Sequence, residues 1–85
     1  MPRRYGFRWI AWNLEHATRH GVSVRECERL VALYPARRVK DGKYRVVGQE
    51  RAGRWIQVIL TFDQSGDVFV IHARPLTAAE KRRAR

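Results

Sequence analysis

Between Lys43 and Arg74 the chain carries three β-prone runs, at about 43–49, 54–62 and 67–74, joined by two polar links that each end in glycine. The links, Glu50 to Gly53 and Asp63 to Gly66, are short enough for hairpins, so the segment folds as an antiparallel meander. Such a meander has an apolar face that needs a cover, and only the flanking segments can supply it.

The flanks read as helices. Ile10, Leu14 and Ala17 stand at i, i+4 and i+7, which predicts a helix over about 10–20 with that set on one face. Gly21 follows where a left-handed residue would stop it. Ser23 with Glu26 three residues later makes a capping box, and Val22 and Cys27 hold the staple positions. A second helix over about 24–34 follows, ended by Pro35. Tyr5 and Phe7, among Arg3, Arg4 and Arg8, predict a short N-terminal edge strand. Segment 35–42 reads as a basic loop closed by Asp41-Gly42. Thr77 with Glu80 is a second capping box, opening a short C-terminal helix. The expected class is α+β: two N-terminal helices, a three-stranded antiparallel meander with an added edge strand, and a short C-terminal helix. Residues 1–85 have room for one domain only, with a basic tail over 81–85.

Composition narrows the partners. One cysteine, Cys27, rules out an internal disulfide and suits a reducing compartment. No apolar run is long enough for a bilayer span or a signal peptide, so a cytoplasmic protein with no membrane partner is expected. The net charge is +10, and fifteen of the eighteen cationic residues are arginine, the side chain that grips phosphate bidentately. These residues concentrate in Arg37 to Arg54 and in Arg74 to Arg85, which favours a polyanion such as nucleic acid.

Strand parity says where those cations point. With an even link, Phe62 lies opposite Asp67, and Ile56, Val58, Leu60 and Phe62 share an apolar core face with Phe69, Ile71 and Ala73. The other face then carries Trp55, Gln57, Ile59 and Thr61 beside Val68, Val70, His72 and Arg74, with Trp55 facing Arg74 and Gln57 facing His72. An odd link would bury His72 and Arg74, at high desolvation cost. In the first strand, Tyr44, Val46 and Gly48 are the better core set. That register needs an odd loop with Gly53 as its left-handed residue. Lys43, Arg45, Trp55, Gln57, His72 and Arg74 are therefore expected on one open surface, the cations for phosphate and the indole for a base.

Trp9…Asn13…Arg19-His20-Gly21-Val22-Ser23, followed by Gly42-Lys43-Tyr44-Arg45-Val46-Val47-Gly48, resembles the opening and the first core strand of the BrnT family of toxins. Gly53-Arg54-Trp55 matches the next turn and strand, and His72-Ala73-Arg74-Pro75-Leu76-Thr77-Ala78-Ala79-Glu80-Lys81-Arg82-Arg83 the closing strand and helix. The resemblance spans about residues 7 to 83. It implies a RelE-like fold and a ribonuclease toxin that cuts RNA and inhibits translation. It also implies a ribbon-helix-helix antitoxin of the BrnA type, in a dimer or heterotetramer, with DNA reached only through the antitoxin. One position departs: Ala84 stands where relatives commonly carry tyrosine, which leaves open a binding module without catalysis that works through its DNA-binding partner.

RNA cleavage without a metal needs a base for the 2′-hydroxyl, cations for the phosphorane and an acid for the leaving oxygen. No metal-ligand constellation or glycine-rich phosphate loop is visible in the sequence, so no metal and no cofactor are expected. His72 is the candidate acid or base, because imidazole titrates near neutrality. Arg74 is the candidate stabiliser and matches the family's closing arginine; Arg54 also matches, at a strand end. Glu80 reads either as a catalytic carboxylate or as the capping partner of Thr77. Arg51, Lys81, Arg82 and Arg83 join Lys43, Arg45, Trp55 and Gln57 as candidate RNA contacts, with Arg85 behind them. His16 and His20 have the i, i+4 spacing of a zinc pair but no third ligand, and His20 reads as a structural helix-end residue.

Overall fold

The computed structural model describes residues 5–84, without the side chain of Ala84; the expectations placed on Arg3, Arg4, Arg85 and the Ala84 side chain lie outside the described residues. Helix α1 spans Ala11–Thr18 and α2 spans Val24–Leu33, followed by β1 (Arg37–Arg38), β2 (Tyr44–Gln49), β3 (Trp55–Phe62), β4 (Val68–Pro75) and α3 (Ala78–Ala84). The sheet runs β1-β2-β3-β4 with every neighbouring pair antiparallel. The fold is thus α+β with two N-terminal helices and a short C-terminal one, and a fourth strand joins the three-stranded meander, though not from the N-terminal segment where an extra edge strand was expected. The fourth lies in the expected basic loop, where Arg37 pairs with Arg45 and Arg38 with Tyr44. The N-terminal segment adds a single parallel bridge, Phe7 to Val68, held by the Val68 N–H on the Gly6 carbonyl at 2.8 Å and the Arg8 N–H on the Val68 carbonyl at 2.9 Å.

The helix ends follow their local chemistry. The Glu26 N–H donates to Ser23 Oγ at 3.1 Å, and the Ser23 N–H to Glu26 Oε1 at 2.8 Å, closing the capping box of α2. Val22 and Cys27 are both buried beside Leu30 and Val31. Tyr34 turns extended before Pro35, and its N–H closes on the Leu30 carbonyl at 3.0 Å. Gly21, at φ 81°, ends the first helical segment as expected.

The buried face of α1 differs from expectation. Ala17 is buried, but Ile10 and Leu14 are 43% and 41% exposed, and Asn13 takes the inward position at 0%. The Asn13 carboxamide decides this: its Oδ1 accepts the Ile10 N–H at 2.7 Å and its Nδ2 donates to the Arg8 carbonyl at 3.0 Å. A polar group with both ends satisfied can sit inside, which turns the helix away from its apolar stripe. Trp9 ties the segment before α1 to α2, its Nε1 donating to Glu28 Oε2 at 2.8 Å.

Both hairpins are odd, and this resets the faces. The Glu50 N–H bonds to the Arg54 carbonyl and the Asp63 N–H to the Asp67 carbonyl, each at 2.9 Å, leaving three residues in each turn. Gly53 and Gly66 supply the positive φ, 104° and 86°. The first turn is as expected; the second corrects the even link. Val68 and Val70 consequently enter the core, and Phe69 and Ile71, expected there, do not. His72 and Arg74 would follow Val70 inward but for a bulge. Leu60 pairs with Val70 while Ile59 pairs with His72, so Ile71 is an extra residue that flips the alternation. Ala73 is buried, and His72 and Arg74 return to the outer face.

The core is one cluster: Cys27, Leu30 and Val31 of α2 and Ala17 of α1 with Val46, Ile56, Val58, Leu60, Val68, Val70 and Ala73 of the sheet. Tyr34 packs on Gly48, where a Cβ would collide with the ring carbons. Among the described residues no helix is long and apolar enough to cross a membrane.

Candidate nucleic-acid interface and catalytic face

The sheet surface away from this core carries Arg45, Val47, Trp55, Gln57, Ile59, His72 and Arg74 in register. The pairs shift from expectation: Gln57 stands opposite Arg74 and Ile59 opposite His72, while Trp55 lies past the end, its carbonyl accepting the Leu76 N–H at 2.8 Å. The odd turn and the bulge account for the offset.

An open groove of about 830 Å³ crosses this surface, with Arg37, Arg38, Arg45 and Arg83 around Trp55 and Gln57, with Tyr34 and Val47 on its apolar side, and with the Glu80 carboxylate also in its lining. Gln57 is buried and aligns Arg45, whose Nε donates to Gln57 Oε1 at 2.7 Å. Among the described residues no carboxylate forms an ion pair with Arg37, Arg38, Arg45 or Arg83. Four unneutralised guanidinium groups beside a half-exposed indole match the needs of a polyanion carrying flat bases. Arg37 and Arg38 were part of the basic stretch in the sequence, but only the strand they form brings them to the groove.

The remaining candidates divide. Arg74 is on the face but engaged: its two terminal nitrogens donate to Glu80 Oε1 and Oε2 at 2.7 and 2.8 Å. Glu80 also accepts the Thr77 N–H at 2.9 Å, and its own N–H donates to Thr77 Oγ1 at 3.2 Å, so the capping box is present too. The Arg74 guanidinium, with the Thr77 N–H behind it, holds the Glu80 carboxyl well below the usual carboxylate range, and Glu80 in turn raises Arg74. Lys43 is exposed at the entry to β2, and Lys81 and Arg82 are exposed on α3 outside the groove lining.

Arg54 and Arg51 are elsewhere. Arg54 clamps the β2–β3 turn to the start of α2: it donates to Glu50 Oε1 and Oε2 at 2.8 and 2.9 Å, to Glu26 Oε2 at 3.3 Å and to the Gly21 carbonyl at 3.2 Å. Arg51 lines a separate cavity of about 570 Å³ with Arg25 and Arg29. The structure therefore does not bring Arg54 or Arg51 to the face that holds His72.

His72 is partly buried on β4, and α1 runs beside that strand. Burial lowers its pKa first, and positive charge at His20, Arg74, Arg19 and His16 lowers it further. A neutral imidazole at pH 7 is a competent proton acceptor. The Trp12 ring stacks near Phe69 at 6.2 Å and over His16 at 4.1 Å, continuing the aromatic surface along this edge. No group of three or more His, Cys, Asp or Glu placed to hold a metal occurs among the described residues.

No family model, curated protein or solved structure matches the chain.

Proposed function

We propose that this open face binds RNA and that the chain is a metal-independent endoribonuclease, a toxin of the BrnT type with a RelE-like fold. The observation that carries the reading is the convergence of Trp55 with four arginines that have no ion-pair partner among the described residues, in a groove on the sheet face where His72 also stands, outside the groove lining. In this mechanism the groove holds the strand, and His72 takes the proton of a 2′-hydroxyl. The new 2′-oxygen bonds to phosphorus, the bond to the 5′-oxygen breaks, and the products are a 2′,3′-cyclic phosphate and a 5′-hydroxyl. Arg74 lies two residues away to stabilise the phosphorane. The resemblance supplies the biological setting: an antitoxin partner of the ribbon-helix-helix kind, and action on translation in the cytoplasm.

Purified protein incubated with an RNA transcript in EDTA tests this reading. Cleavage is expected, with His72→Ala lowering the rate by about 10²–10⁴-fold. Arg45→Ala is expected to weaken binding and to flatten its salt dependence by about one phosphate contact. Intact RNA at high protein concentration would refute the enzyme.

One observation favours a second reading, a binding module without catalysis: Glu80 neutralises Arg74, the candidate phosphorane stabiliser on the strand of His72. RNA bound tightly but left intact, with affinity that survives His72→Ala and falls with Arg45→Ala, identifies that case.

A further inference from the structure

Cleavage at neutral pH needs a donor for the leaving oxygen, and Glu80, ionised and tied to Arg74, has no proton to give. The base and the acid must also be separate groups, because in-line displacement puts the attacking and leaving oxygens on opposite sides of phosphorus. A second imidazole stands beside the first. His20, just beyond the end of α1, lies with its ring centroid 5.2 Å from that of His72, edge to face at 68°. His20 is exposed, and neither ring has a hydrogen-bond partner among the described residues. His16, one turn earlier, shows the contrast: its Nδ1 is held at 2.7 Å from the Trp12 carbonyl and 3.1 Å from Glu15. No buried side-chain nitrogen or oxygen among the described residues lacks a partner, so the His72 ring nitrogens, like those of exposed His20, reach solvent and are open to a ligand.

We propose that His20 and His72 form an acid–base pair, His20 giving its proton to the departing 5′-oxygen as His72 accepts the 2′ proton. This rests on the ribonuclease reading. The protons balance: His72 ends charged, His20 neutral, and exchange with water restores both. The groups facing the pair are Arg74 from β4, His16 from α1 and Arg19 just beyond it, and Glu15 binds both of the latter.

The test uses the full chain, His20→Gln and His72→Gln on an RNA oligonucleotide and on the same oligonucleotide with sulfur replacing the bridging 5′-oxygen. A thiolate leaves without protonation. His20→Gln is expected to lose about a hundredfold on the oxygen substrate, to recover on the sulfur substrate, and to lack the alkaline limb of the pH–rate profile. His72→Gln is expected to stay slow on both. A His20→Gln protein as fast as wild type, or equally slow on both substrates, overturns the pair while leaving the ribonuclease standing. Inactive wild-type protein overturns the ribonuclease and the pair with it.

Discussion

Asn13 offers the sharpest test of how the helical layer is fixed to the sheet. It is fully buried, and its carboxamide spans the Ile10 N–H and the Arg8 carbonyl at 2.7 and 3.0 Å. Asn13→Ala strands both backbone groups and leaves a small void. One lost hydrogen bond contributes about 1 kcal/mol and a stranded partner more, so the loss should be about 2–4 kcal/mol. For a domain of this size that lowers Tm by on the order of 10–30 °C. Asn13→Asp separates the two bonds. It keeps an acceptor for the Ile10 N–H but turns a carboxylate oxygen toward the Arg8 carbonyl. Burial and that carbonyl disfavour the charged form, so the folded pKa rises above the unfolded value of about 3.9. The native state then binds the extra proton, and the deficit relative to wild type shrinks as pH falls from about 7 to 4. Urea denaturation of the three proteins at several pH values measures this. A loss below about 1 kcal/mol for Asn13→Ala, or an Asn13→Asp deficit that does not narrow in acid, would refute the reasoning.

Three further outcomes follow from single contacts. Gly48→Ala drives a methyl group into the Tyr34 ring and should destabilise by about 1–3 kcal/mol in thermal melts, with Tyr34→Ala in the same chain relieving part of that loss. Arg54 holds the Glu50 carboxyl down from 4.5 to about 2. Its stabilising effect is therefore complete above pH 4.5 and disappears as pH falls toward 2, and Glu50→Gln should flatten urea midpoints across that interval. Burial, with Glu26 and Glu28 nearby, pushes the Cys27 thiol up to about 12, so a maleimide at pH 8 should label it only after urea unfolds the chain.

What the sequence made legible was local. Ser23 with Glu26, Thr77 with Glu80, Gly21, Gly53 and Pro35 each act through their own backbone, and each is where its chemistry required. The parity of β2 was readable because Gly53 announces an odd turn. The parity of β4 was not, because two irregularities cancel: an odd turn at Gln64 to Gly66 moves Val68 and Val70 inward, and the bulge at Ile71 returns His72 and Arg74 outward. The desolvation cost of burying a guanidinium gave the right side for Arg74 by the wrong route. The face of α1 misled for the converse reason: Ile10 and Leu14 fit an apolar stripe by spacing, and only the two backbone partners of Asn13 show why that side chain takes the inward position. The short strand β1 carried no apolar alternation, since both its residues are exposed arginines paired to β2.

For the candidate site, the formal charge of +10 indicates how strongly an anion is attracted but not where. Placement depends on which cations are already neutralised, and that is a tertiary property. Arg54 and Arg74 are each closed off by glutamates, at a separation of 2.8 Å in one pair and 2.7 Å in the other. The resemblance pointed to both, yet one acts as a clamp between a hairpin and a helix, and the other is half of an ion pair beside His72. Arg37, Arg38, Arg45 and Arg83, brought together by a two-residue strand and the last helix, keep their charge for solvent or a ligand. Phosphate affinity should therefore follow the groove arginines, and proton transfer should follow the two histidines at the β4 edge. Substitutions of the groove arginines that alter binding alone and histidine substitutions that alter turnover alone are the signature of that division.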